Sequence, residues 1–151
     1  MNRIPIILLV EDNPDDELLT RRAILSSGIA VEVFTANDGP QALNLLLGTY
    51  NPPVAPELEP DMVFLDLKLP RLNGLEVLNT LRQRQSTGTL PIIILTSSAE
   101  KSDIQTAYEL GCNSYIQKPV DFEQFSHAIH AACRYWLQVN HQIRPDKEIS
   151  A

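Results

Sequence analysis

The chain has 151 residues, 44% of them hydrophobic, with 19 acidic against 12 basic side chains and a formal charge of −7. That composition is globular rather than disordered, and the length fits one core without a second domain. The acidic balance argues against binding nucleic acid by phosphate neutralisation, and no apolar run approaches the roughly 20 residues of a membrane span. The N-terminal Met1-Asn2-Arg3-Ile4-Pro5-Ile6 carries no apolar signal region with a small-residue cleavage site. Cys112 and Cys133 are therefore expected as reduced thiols at core or half-buried positions of a cytoplasmic protein.

Ile6-Ile7-Leu8-Leu9-Val10 is a β-branched-rich run short enough for a buried strand. In Glu11-Asp12-Asn13-Pro14 that follows, Asn13 is a good N-cap and Pro14 suits the first helical position. Asp15, Asp16 and Glu17 favour the positive end of the helix dipole. This helix is expected to carry Leu18, Leu19, Ala23 and Leu25 on its apolar side and to stop near Ser27-Gly28. A second strand over Val31–Ala36 leads through Asp38-Gly39-Pro40 into a second helix. Its buried stripe is Ala42, Leu43, Leu46 and Leu47, and Gly48 ends it.

Thr49 to Pro60 holds four of the eleven prolines. That density rules out a helix or a central strand and marks a surface insertion with scope for a partner-specific role. Met62–Leu65 reads as a short buried strand closed by Asp66, after which Pro70 and Asn73-Gly74 turn the chain. A helix from about Gly74 buries Leu75, Val77, Leu78 and Leu81 and breaks at Thr87-Gly88. Pro91–Leu95 is the most continuous apolar strand and ends in Thr96-Ser97-Ser98. A helix from about Ser102 to Leu110 stops at Gly111, and Ser114–Ile116 is a short last strand before Gln117-Lys118-Pro119.

Asp121 with Gln124 is patterned as a capping box for a final helix reaching about Val139. Phe122, Phe125, Ile129, Ala132 and Trp136 fall on it at core spacing, with Tyr135-Trp136 partly exposed as interface anchors. The tail, 140–151, is polar and expected to fray. Five strands and five helices in strict alternation predict an α/β doubly wound fold, a parallel sheet with helices on both faces, over residues 1–139.

In such a sheet the loops after the strands open on one edge, so residues at strand carboxyl ends meet. Those ends supply Glu11-Asp12, Asp66, Thr96 and Lys118, whereas Asn37-Asp38 lies further out. Three carboxylates at close quarters repel unless a cation neutralises them. A small hard cation takes one or two carboxylates and leaves positions for phosphate oxygens, while Lys118 as a point charge and Thr96 as a hydroxyl donor can bind phosphate oxygens. A carboxylate beside a metal and such a cradle is a candidate nucleophile for an acyl phosphate. Each residue alone is more often a cap, a turn residue or a solvated amine; their joint occurrence on successive strand ends carries the reading.

This set, in this order, resembles the receiver domain of response regulators in two-component signalling, the CheY-like superfamily, over about residues 5 to 138. The resemblance implies a flavodoxin-like sheet of order 2-1-3-4-5 and an Asp66 that accepts phosphate from a histidine kinase. It implies Mg²⁺ or Mn²⁺ on Asp12, Asp66 and the main-chain carbonyl of Lys68, with Glu11 acting through metal-bound water. Thr96 and Lys118 would bind the phosphoryl oxygens, and Tyr115 would be the switch aromatic that turns inward as the Thr96 hydroxyl moves. A cis Lys118-Pro119 bond would aim the amine into the crevice. Such a protein is not a turnover enzyme but promotes its own Mg²⁺-dependent phosphorylation and slow dephosphorylation. Lys68 and Ser98 would flank the phosphoryl site and control access of water.

Two departures stand out: Glu11 where Asp is commoner, and no output domain, so that signalling is expected by contact alone. The Pro-rich insertion, Tyr135-Trp136 and the short tail resemble the small single-domain regulators paired with cyanobacterial phytochrome kinases. The implied partners are a histidine kinase, in that case a phytochrome, an unidentified downstream protein and a second copy through the fourth and fifth helices. Nucleic acid and membrane are not expected. A phosphatase of the haloacid-dehalogenase type shares the nucleophilic Asp but needs a second Asp two residues on, where Lys68 stands. A flavin carrier on the same fold would want donors rather than an acidic crevice. His127, His130 and His141 are read as surface residues without metal-ligand spacing.

Overall fold

In chain order the elements are β1 (Ile6–Val10), α1 (Pro14–Leu25), β2 (Glu32–Ala36), α2 (Gly39–Leu47), β3 (Thr49–Tyr50), β4 (Pro53–Val54), β5 (Met62–Leu65), α3 (Gly74–Gln83), β6 (Ile92–Thr96), α4 (Lys101–Leu110), β7 (Ser114–Gln117) and α5 (Phe122–Arg134). A 3₁₀ turn over Gln85–Thr87 follows α3, and a π-helical turn over Tyr135–Val139 prolongs α5. This computed structural model describes residues 3–50, 52–118 and 121–144. The parallel main sheet has the order β2-β1-β5-β6-β7, which is the expected 2-1-3-4-5 once the two hairpin strands are passed over.

Alternation along the strands divides the core in two. Leu8, Val10, Val63, Leu65, Ile92 and Ile94 point to one face, where Ala42, Leu46, Val77, Leu78, Leu81 and Ala107 of α2, α3 and α4 cover them. Ile7, Leu9, Met62, Phe64, Ile93 and Leu95 point to the other, against Ala23 and Ile24 of α1 and Phe125, Ile129, Ala132 and Cys133 of α5. The three inner strands are thus apolar at almost every position because both of their faces are covered.

The helix starts follow their capping residues. Asn13 Oδ1 accepts from the amides of Asp15 and Asp16, Asp38 caps α2 through Gln41 N, and Asn73 with Glu76 forms a reciprocal capping box on α3. On α5 the expected pairing is different: the Asp121 carboxylate accepts from Glu123 N rather than forming a box with Gln124. The Pro-rich insertion is no featureless loop, since Thr49–Tyr50 and Pro53–Val54 pair antiparallel. It folds back on α2, with Leu58 N bonded to Leu45 O. Gly48 sits at φ 74°, and a Cβ there would lie 2.0 Å from Val54 O, so only glycine permits the close return.

Several sequence expectations need correction. Leu18, Leu19 and Leu25 are exposed; α1 instead buries Thr20, Ala23 and Ile24, a stripe one position round the helix. Phe122, at the first turn of α5, is 45% exposed rather than core. His130 is half-buried, its Nε2 2.7 Å from Ser26 Oγ at the end of α1. Residues 140–144 are tied down: Gln142 Nε2 donates to Trp136 O and Asp61 O, and the Arg144 guanidinium meets the Asp61 carboxylate. Residues 145–151, and the expected cis bond at Lys118-Pro119, lie outside the described residues.

Candidate functional site

The ladder of the sheet continues one residue past the strand ends, and it fixes the backbones of the chemistry-bearing residues. Glu11 N donates to Ala36 O at 2.9 Å, Asp66 N to Val10 O at 3.1 Å, and Lys118 N to Thr96 O at 2.7 Å. The side chains that follow all meet at the same edge. Ligand oxygens of Glu11, Asp12 and Asp66 lie within 4.8 Å of one another. Glu11 is 1% exposed and Asp66 7%, while Asp12 is open to solvent.

Three buried or converging carboxylates require compensation, and Lys118 gives it. Its ammonium donates to Glu11 Oε1 at 2.6 Å, to Asp16 Oδ2 at 2.9 Å and to Asp66 Oδ2 at 3.2 Å. Burial pushes the Glu11 carboxyl up to about 7, against the pull of Lys118, with the Asp66 charge adding to the rise. For Lys118 burial opposes the charge, but its bonds to Glu11 and Asp16 and the Asp66 charge outweigh that and hold the amine above its usual range. The donor set is hard oxygen at short mutual range beside a cation, which suits Mg²⁺ or Mn²⁺ and does not suit a softer metal.

The loop after Asp66 is held tightly against it. Lys68 N donates to Asp66 Oδ1 at 3.2 Å, and Gly74 N donates to Leu67 O at 2.9 Å. A Cβ on Gly74 would lie 2.2 Å from Asp66 O, so the start of α3 presses on the backbone of the central carboxylate. The Lys68 side chain itself is exposed. On the neighbouring strand end Thr96 is 0% exposed, and its hydroxyl has no hydrogen-bond partner among the described residues. A buried orphan hydroxyl is costly unless it serves a ligand.

Tyr115, on β7, donates from its hydroxyl to Ser98 O at 2.9 Å, tying the edge strand to the loop before α4. The Ser98 hydroxyl itself donates to Asp103 Oδ2 at 2.6 Å in the first turn of α4. One residue escaped sequence reasoning. Asp16 seemed only to favour the dipole of α1, yet it reaches Lys118, 102 positions away. The signal was its place on the first turn after Asn13, four residues beyond Asp12.

A model of the response regulator receiver domain matches residues 7–130. The chain is 35% identical over 140 residues to a probable methanogenesis regulatory protein, FilR2, of Methanothrix harundinacea, covering 93% of this chain and 88% of that one. It is 32% identical over 136 residues to the response regulator Rcp1 of Synechocystis, covering 88% and 89%. The solved structure of the phosphorylated cyanobacterial phytochrome response regulator RcpA superposes with a TM-score of 0.82 at 30% identity, over 93% of this chain and 99% of that one. The Mn²⁺-bound form of Rcp1 superposes with a TM-score of 0.79 at 28% identity, over 92% and 99%. No helix among the described residues is long and apolar enough to cross a membrane. With the doubly wound sheet, the acidic strand ends and a family match over most of its length, this chain belongs to the response regulator receiver domains of two-component systems.

Proposed function

We propose that Asp66 is the phosphoacceptor of a phosphorelay and that the chain signals through a change of conformation read by protein contact. The observation that carries this reading is the Lys118 ammonium bridging Glu11 and Asp66 where Glu11, Asp12 and Asp66 converge. Asp66 Oδ would form a bond to phosphorus as the bond to the donor's imidazole nitrogen breaks and its electron pair stays with that nitrogen. Asp12, Asp66 and the Lys68 carbonyl would hold Mg²⁺ or Mn²⁺, with Glu11 acting through a metal-bound water. The ion supplies charge neutralisation for the crowded oxygens. Lys118 and the Thr96 hydroxyl would take phosphoryl oxygens, and Tyr115 with the Ser98 loop would carry the change to the surface of α4 and β7.

The donor is a histidine kinase of the phytochrome class, a reading supported by the likeness to Rcp1 and RcpA. The receiver unit spans residues 1–139, followed by the stretch 140–151, and works in the cytoplasm. A second copy would dock through α4 and α5, on which Tyr108 and the adjoining Tyr135 are exposed. Incubation with acetyl phosphate and Mg²⁺ tests the core of this proposal. The wild type should gain one phosphoryl group, chelation should prevent it, and Asp66→Asn should abolish it. Equal labelling of Asp66→Asn would refute the assignment.

A further inference from the structure

The three N–H donors of Lys118 are all in use, on Glu11, Asp16 and Asp66. Glu11 and Asp66 belong to the trio whose oxygens converge, so a cation held there engages them. Asp16 lies outside that trio. It comes from the first turn of α1, where Asn13 Oδ1 accepts from both Asp15 N and Asp16 N and so orients the turn. Its carboxylate stands at the rim, 39% exposed, against a Lys118 side chain that is 13% exposed. The neighbouring Asp15 is exposed and makes no bond to Lys118.

From this geometry we infer that Asp16 is a positioning residue for Lys118: it holds the ammonium at the rim and competes for it with phosphoryl oxygens. The inference rests on the phosphoacceptor reading of Asp66. A phosphoryl group brings close to two negative charges and three acceptor oxygens, and to gain a bond from Lys118 it must displace a carboxylate. Cation binding accounts for Glu11, and the attachment point itself is Asp66. Asp16 keeps its charge and its hold, and it adds like-charge repulsion to the incoming group. The residue therefore sets how tightly the site retains a phosphoryl group.

The test uses the full chain with Mg²⁺ and beryllofluoride as the phosphoryl probe, titrated by calorimetry, with Asp16→Asn and Asp15→Asn compared to wild type. Asn keeps the shape of the side chain and removes its charge, and thermal melts check that both variants fold. Asp16→Asn should tighten beryllofluoride binding by roughly three- to tenfold, the range for a half-exposed charged hydrogen bond. Asp15→Asn should stay within about twofold, because it changes the same net charge without touching Lys118. A readout independent of the probe is the ¹⁵N resonance of the Lys118 ammonium in metal-free protein, which should move in Asp16→Asn and hold in Asp15→Asn.

Unchanged or weaker binding in Asp16→Asn, or equal tightening in both variants, overturns the inference. An unmoved Lys118 resonance in Asp16→Asn does the same. If the wild type itself fails to bind beryllofluoride, the phosphoacceptor reading falls first; if it binds and Asp16→Asn is no tighter, only the role of Asp16 falls.

Discussion

Thr96 is the residue at which function and stability pull apart. Its methyl fits a fully buried strand end, but its hydroxyl is sealed from water without a partner among the described residues. Leaving such a group unpaired costs about 1–3 kcal/mol. On the proposed role of Asp66, the cost would be tolerated because the hydroxyl would be kept for a phosphoryl oxygen. Thr96→Val, close in shape but without the hydroxyl, should be as stable as wild type or more stable by about 1 kcal/mol in urea unfolding. The same variant should bind Mg²⁺-beryllofluoride more weakly than wild type. A clear loss of stability would mean that the hydroxyl already has a native partner. Glu11 shows a related tension, since burial raises its carboxyl to about 7 even with Lys118 at 2.6 Å.

At the scale of elements, the junction of α3, α4 and β7 depends on one guanidinium. Arg82 Nε donates to Gly111 O, Nη1 to Thr87 O, and Nη2 to Leu90 O, each at 2.8 Å, while Nη2 also reaches Asn113 Oδ1 at 2.7 Å. Asn113 Oδ1 in turn accepts from Ile92 N, which fixes the entry to β6. These partners are neutral carbonyl oxygens from two helix ends and a loop, and burial lowers the pKa of the guanidinium. Arg82→Ala would leave carbonyls at two helix ends unpaired and should destabilise the fold by about 3 kcal/mol. Arg82→Lys should recover less than half of that, because one ammonium does not reproduce a planar fork. Equal stability of wild type and Arg82→Ala, by chemical denaturation, would show that water replaces the staple at no cost.

Across the whole molecule, the parallel sheet was legible because apolar runs of four or five residues alternate with capped helical patterns, while its strand order came from the family resemblance. Asn13 and Asp38 each announced a helix, and the structure caps α1 and α2 with those residues, while Asn73, expected only as a turn residue, caps α3. The convergence of Glu11, Asp12, Asp66 and Lys118 was legible for the same reason, since parallel topology alone brings strand ends together. What local pattern did not disclose are contacts made across long sequence separations. Asp16 on Lys118, Arg82 on Gly111 and Asn113, and Asp61 between Arg3 and Arg144 belong to that class.

Asp61 illustrates the point at the edge opposite the acidic crevice. Burial alone would raise its carboxyl, but bonds from Arg3, Ile6 N and Arg144 prevail and lower it. Residues at the two ends of the described chain thereby meet on one carboxylate. Period and propensity likewise misplaced the buried face of α1, because the leucines Leu18, Leu19 and Leu25 outrank Thr20 in hydropathy while geometry turns Thr20 inward.

Chemical trapping tests the phosphoacceptor role of Asp66 most directly, because it reports the residue that carries the phosphoryl group. Protein treated with acetyl phosphate and Mg²⁺ is reduced with borohydride, which converts an aspartyl phosphate to homoserine, and the site is located by tandem mass spectrometry. Homoserine is expected at position 66 and at no other acidic residue. Trapping at Asp12 or Asp16, or phosphate on a hydroxyl side chain with Asp66 unmodified, would contradict that role.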